Sequence, residues 1–349
     1  MKKLDSLQGL RFIGFLLIYL THAGWILWKP DFFNFGERGV EIFFVLSGYL
    51  IAYNYRDTNL LYDFKSSVKY MFGKLQKFYF LHILTFLIVL YYMERHGFNY
   101  SHGFDAFIRD IILNITLLQS WYEPARFSFN GVTWFLSSIL FIYFCVPYII
   151  HFFRRNRGGY WVLFLLVFLM KLSCDTLRYG MGLNPWPGVF DWYSNPTYRL
   201  LDFLLGYIGF LLFNNYSGKL KVSKLEITLF QWGILLFYFV ACRIFDKLWV
   251  PAVFLILVVL LVYAFTLSGG IFNIFFGNKL IVHLGNISFE LFIIHQVIIK
   301  IMYAKLERWF GTNHMAGFVG LFVISLFFAE LLSWNPIKKF MTRTVWGKN

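Results

Sequence analysis

Ten apolar runs, near 11–28, 39–55, 78–93, 131–153, 160–177, 198–213, 225–243, 248–267, 281–303 and 315–333, leave this chain little choice of environment. A helix of about 20 apolar residues spans the roughly 30 Å hydrocarbon core of a bilayer. The expected fold is therefore all-α: a polytopic membrane bundle of about ten transmembrane helices. The composition agrees, with 59% hydrophobic and 14% charged residues, against about 45–50% and 25% in soluble domains. The intervening loops are short, so residues 1–349 read as one membrane domain with no separate soluble domain. The 45 Phe, 22 Tyr and 12 Trp suit lipid-facing surfaces and interfacial belts. No cleavable signal peptide is expected, because the first run carries polar residues and no small-residue cleavage pattern.

The net charge of +14 would suggest nucleic acid in a soluble protein. Here the basic residues cluster in loops between spans, as cytoplasmic loops beside anionic lipid do, and no nucleic-acid partner is expected. Lys2 and Lys3 precede the first span. Arg56, Lys65, Lys69, Lys74 and Lys77 lie between the second and third. Arg154, Arg155 and Arg157 follow the fourth, Lys219, Lys221 and Lys224 the sixth, Lys279 precedes the ninth, and Lys338, Lys339, Arg343 and Lys348 close the chain. All fall on one side if the chain crosses ten times with both termini in the cytoplasm of a cell (plasma or inner) membrane. Residues 105–120 are apolar enough to cross, but a crossing there would put the clusters at 154–157 and 219–224 outside. That segment, with Arg109, Asp110 and Asn114, is expected to be an interfacial or re-entrant helix. The loop at 178–197, rich in Gly, Pro, Asn and aromatics, reads as an ordered outer loop. The three cysteines, Cys145, Cys174 and Cys242, show no metal spacing and read as packing residues, and no metal is expected.

Arg11 and His22 both fall in the first span, LDSLQGLRFIGFLLIYLTHAGW, eleven residues apart. At about 100° per residue they emerge on one helix face, roughly 16 Å apart along the axis. Ionisable groups inside a bilayer are costly and usually face a bundle interior or cavity. A guanidinium at the membrane entrance and an imidazole deeper in, pointing the same way, suggest a shared passage. A snorkelling arginine and a core histidine would fit the isolated pair as well. The second span opens GERGVEIFFVLSGYLIAY, with small residues Gly39, Ser47 and Gly48 and the carboxylate of Glu41. Taken alone, it fits a close helix crossing and an interfacial glutamate.

Together these stretches resemble the acyltransferase-3 family of integral membrane O-acyltransferases, of the bacterial polysaccharide O-acetyltransferase type. Arg11, ten residues and His22 match its first-helix pattern. Phe43, Phe44, Ser47 and Gly48 match its FF-x-x-SG motif. Lys74-Leu-Gln-Lys77-Phe-Tyr79 is similar to its basic R-x-x-R-x-Y-P element. GVTWFLSSILFIYFCVPYI at 131–149, with Trp134, resembles its W-x-L helix, and LGNISFELFIIHQ at 284–296 its late segment ending in His295. The sequence departs from the pattern where lysines replace both arginines, Phe80 replaces the proline, and Ile139 stands where many relatives carry Glu. Lysine keeps the charge but loses the bidentate fork that grips phosphate.

The resemblance implies a cytoplasmic acyl-CoA donor, acetyl-CoA foremost, and a hydroxyl of a cell-surface or exported carbohydrate as acceptor. Such a transfer needs a base for the hydroxyl proton or a nucleophile to carry the acyl group, and an imidazole does either. His22 is expected in that role, with Arg11 as the second catalytic residue. Arg11, Lys74, Lys77 and Tyr79 are expected at the donor phosphates, with Phe43, Phe44, Ser47 and Gly48 shaping the tunnel. Glu41, His82, Trp134 and His295 are expected on the acceptor side, with structural roles open for His82 and His295. His96, His102, His151, His283 and His314 receive no assignment. On physics alone a membrane transporter or channel for a small solute or glycan would suit the buried charges equally, and the same fold could use another donor such as succinyl-CoA. Membrane lipids are expected partners, and a homo-oligomer stays open.

Overall fold

A computed structural model describes residues 5–27, 35–58, 60–96, 103–156, 158–184, 188–214, 222–244, 251–311, 313–334 and 337. Lys2, Lys3, Arg157, Lys219, Lys221, Lys338, Lys339, Arg343, Lys348, His102 and part of the 178–197 loop lie outside them. The described chain is helical: α1 Asp5–Ala23, α2 Gly36–Asn54, α3 Phe64–Leu75, α4 Tyr79–Arg95, α5 Phe104–Ile115, α6 Trp134–Arg155, α7 Tyr160–Asp175, α8 Pro196–Asn214, α9 Lys224–Ile244, α10 Pro251–Thr266, α11 Ile271–Phe275, α12 Lys279–Asn286, α13 Ser288–Phe310 and α14 His314–Ser333.

Six of these helices are long and apolar enough to cross a membrane, and eight spans result if the bent pairs α3–α4 and α12–α13 each count as one. The remaining two expected spans fall on α2 and α10. Helix α10 has only 16 residues. Helix α2 carries Glu37, Arg38 and Glu41 within its 19 residues. It tolerates them because it is the central helix, packed against α1, α8 and α10 and buried on most of its surface, so its charges meet protein rather than lipid. Helix α5 is 12 residues long, about 18 Å, and too short to cross a roughly 30 Å core.

Close packing is set by glycines. A Cβ on Gly48 would lie 2.0 Å from the Phe203 carbonyl oxygen, and one on Gly206 2.0 Å from that of Val45, so α2 and α8 cross backbone to backbone. On the other side, a Cβ on Gly285 would lie 2.0 Å from the Gln8 carbonyl, which brings α12 onto α1 one turn before Arg11.

Helix α7 turns its apolar side chains outward, with Trp161, Val162, Leu165, Leu166, Leu169 and Met170 exposed, and buries only Lys171 and Asp175. In lipid, apolar surface gives helices no reason to associate, so polar pairs and small residues hold them. Lys171 Nζ lies 2.8 Å from Asp202 Oδ1 on α8, and Arg199 Nη1 lies 2.9 Å from Asp202 Oδ2. Tyr198 Oη donates to Asp175. The network reaches α2 through Glu37, which lies 3.4 Å from Arg178 and 3.6 Å from Arg38.

Candidate active site

The two bends sit beside one cavity. Helices α3 and α4 meet at 56°, and α12 and α13 at 63°. Between them a cavity of about 390 Å³ is lined by Arg11, Lys74 and Lys77, by Ser47 and Tyr143, and by Asn286 and Ser288. The first turn of α13 opens onto it, adding the positive end of a 23-residue helix dipole to three cationic side chains. The Lys74 ammonium also lies over the rings of Tyr70 and Tyr143, at 4.9 and 5.9 Å. A second groove, lined by Tyr55, Lys69 and Tyr70, shares Lys74 and Lys77 with this cavity. Phosphate recognition needs cations that a bound phosphate can reach, and this end of the molecule supplies them.

Further along α1 lies a second cavity of about 420 Å³, lined by Thr21, His22, Glu37, Trp134, Tyr193, Gln296 and Lys300 among others. Its aromatic faces and scattered donors and acceptors suit a polyhydroxylated ligand. Arg11 and His22 therefore do lie toward the interior on one face of α1, but each fronts its own cavity. The single open passage expected from the spacing is two chambers that share one lining residue, Phe292.

At the second cavity His22 Nδ1 lies 2.8 Å from His295 Nε2, with the two rings stacked at 13°. His295 is fully buried, edge-on to Phe15 and Tyr19. Its Nδ1 lies 2.8 Å from the Phe292 carbonyl and 3.2 Å from that of Leu291. Carbonyls only accept, so His295 Nδ1 carries the proton, and in the neutral ring Nε2 is left as an acceptor. His22 Nδ1–H must then donate to it, and the lone pair of His22 is left on Nε2. This assignment follows from the hydrogen-bond network. Helix α13 thereby fixes both the tautomer and the orientation of an imidazole carried by α1.

A family model described as an acyltransferase domain matches residues 4–334. The chain belongs to the acyltransferase-3 family. It is 24% identical over 331 residues to acyltransferase MdmB of Streptomyces mycarofaciens, covering 85% of this chain and 79% of that relative. No solved structure gives a significant match.

For an acyltransferase, the two chambers sort the expected residues. Arg11, Lys74, Lys77, Phe43 and Ser47 line the first, and Ile139, where many relatives carry Glu, lines it too. His22 and Trp134 line the second, with His295 directly behind His22. Besides His295, five residues line neither. Gly48 is spent on the α2–α8 crossing. Phe44 is buried against Trp134 and Phe135. Glu41 is buried and bound by Arg38 Nη1 at 2.7 and 2.8 Å, with that guanidinium over the Phe254 ring. Tyr79 Oη donates to the Ile115 carbonyl at 3.0 Å, and buried His82 Nε2 donates to the Asn114 carbonyl at 2.8 Å, so both clamp α4 to α5. Each of these five groups is engaged by protein in this structure and lines neither chamber.

Sequence reasoning missed Tyr143, Phe135, Phe292, Lys300, Tyr193 and Glu37. Lys300 had a local signal, since it follows His295 by five residues on the same helix. Asn130 Nδ2 donates to the Ile293 carbonyl at 3.0 Å, which ties the start of the W-x-L helix to α13.

Proposed function

We propose that this acyltransferase moves an acyl group, acetyl foremost, from cytoplasmic acyl-CoA to a hydroxyl of a cell-surface or exported carbohydrate. The observation that carries this reading is the His22–His295 pair, which leaves the lone pair of His22 on Nε2, at an aromatic, polar chamber that adjoins a basic one through Phe292. The donor phosphates bind at Arg11, Lys74 and Lys77, and the thioester arm extends along α1 toward His22. The acceptor sits in the second chamber, its ring against Trp134 and Tyr193. His22 Nε2 takes the proton of the attacking hydroxyl, the new C–O bond forms, and the C–S bond breaks. The proton then passes from His22 to the departing thiolate. Hydrogen bonding from His22 Nδ1–H to His295 holds the ring in place as charge develops on it. The chain would cross a plasma or inner membrane about ten times, with α2 and α10 as the two further spans and both termini cytoplasmic. One membrane domain would then carry the whole reaction.

Purified full-length protein in detergent or nanodiscs, given acetyl-CoA and a candidate glycan, tests this. Wild type should release CoA with stoichiometric glycan acetylation, and His22→Ala should slow both by about a hundredfold or more. Transfer by His22→Ala at the wild-type rate would overturn the reading.

A further inference from the structure

Phe292 lines both chambers, and its ring is one corner of a closed triangle. Its centroid lies 5.5 Å from Phe135 and 6.1 Å from Phe43, and those two lie 6.1 Å from each other. The three rings come from α13, α6 and α2. Tilted and edge-on arrangements at these separations are in van der Waals contact and leave no channel between them. Phe43 and Phe135 are only partly buried and border the 390 Å³ chamber, so their rings have room to turn into it. Phe292 differs in that its backbone is committed: its carbonyl accepts the His295 Nδ1–H. The ring can therefore move by side-chain rotation while the carbonyl goes on holding the histidine pair.

We propose that Phe43, Phe135 and Phe292 form an aromatic aperture that the acyl-bearing end of the donor pushes open, and whose size limits the acyl group that reaches His22. This rests on the reaction proposed above. A thioester carbonyl starting in the basic chamber reaches His22 Nε2 only past these rings. Displacing one phenyl ring opens space for a slim acyl group, and a bulkier, branched one demands that two or three rings move at once. When no donor is present the triangle separates the water of the two chambers, which keeps hydrolysis from competing with transfer.

Two measurements on the full-length protein test this. In the first, wild type, Phe135→Ala, Phe292→Ala and Phe292→Leu are assayed with acetyl-, isobutyryl- and pivaloyl-CoA. Both alanine variants should raise the pivaloyl-to-acetyl ratio of kcat/KM by about tenfold or more, as expected when a pocket limit of two or three methyl groups is removed, with Phe292→Leu staying near wild type. Ratios unchanged across the series would overturn the aperture. The second does not depend on transfer. With Cys145, Cys174 and Cys242 replaced by alanine, protein carrying Ser47→Cys is exposed to a small maleimide from the His22 face. Labelling should be at least about tenfold faster with Phe292→Ala than with Phe292 in place, because a closed ring contact excludes reagent. Equal labelling rates would overturn the aperture, whereas wild type that transfers from no thioester would sink the reaction itself and the acyl-size limit with it.

Discussion

His22 on α1 and His295 on α13, 273 residues apart in sequence, share a 2.8 Å hydrogen bond whose direction is fixed by the Phe292 carbonyl behind it. His22→Ala should lower kcat by about 10²–10⁴, the usual yield of a positioned acid–base group. His295→Ala should fall in the same range by releasing the His22 ring, with donor KM little changed. Because the two act as a unit, the double variant should be no slower than His22→Ala alone. Initial-rate kinetics on the three proteins check this, and additive losses would count against the coupling.

Lys74 and Lys77 front the first chamber with Arg11. Lys74→Met or Lys77→Met should raise the donor KM by about tenfold or more, the loss of one charge-assisted hydrogen bond, with a smaller effect on kcat. Lys74→Arg should bind the donor at least as well as wild type, since guanidinium adds a bidentate grip. Donor titrations at two salt concentrations should also show wild-type KM rising with ionic strength.

Gly48 has no space for a side chain, with the Phe203 carbonyl 2.0 Å from where its Cβ would be. Gly48→Ala should force α2 and α8 apart and cost about 1–3 kcal/mol. Its neighbour Ser47 spends its hydroxyl on the Phe43 carbonyl at 2.7 Å and faces the chamber, so Ser47→Ala should leave stability nearly unchanged. Thermal unfolding in detergent should separate the two variants, and equal melting temperatures would contradict the crossing.

Lys171 and Asp202 are fully buried partners 2.8 Å apart. Lys171→Met leaves Asp202 short of a counter-charge and should destabilise by about 3–5 kcal/mol, the cost of breaking a buried pair from one side. Asp202→Asn, which keeps a hydrogen-bonding side chain beside Arg199, should cost less. A melting temperature for Lys171→Met equal to that of wild type would remove the network from the list of what holds α7 to the bundle.

The apolar, all-helical character of the chain was readable because it is local, although six helices, or eight spans with the bent pairs, meet the length and hydropathy of a crossing against the ten expected. Hydropathy over twenty residues selects a membrane helix whatever else the chain does. The short, polar-marked segment at 105–120 became a 12-residue helix for the same reason. Two features were harder. Glu41 was expected on the acceptor side, but packing leaves it buried with Arg38, one turn earlier, already holding it. Gly48 sits inside the family motif beside Ser47, yet it serves a helix crossing that no local pattern distinguishes from a tunnel wall. His82 Nε2 and Tyr79 Oη likewise already have a carbonyl of the neighbouring α5 as partner.

The sequence alone determined that α1 carries a cation and an imidazole on one face, since helical periodicity fixes that over eleven residues. The tertiary structure decided what those groups meet. It placed His295 behind His22, set Phe292 between the chambers, and joined Lys171 to Asp202 across two helices. Those outcomes depend on which helix faces come together. That choice is made by glycine crossings and buried polar pairs, because lipid supplies no hydrophobic drive to make it.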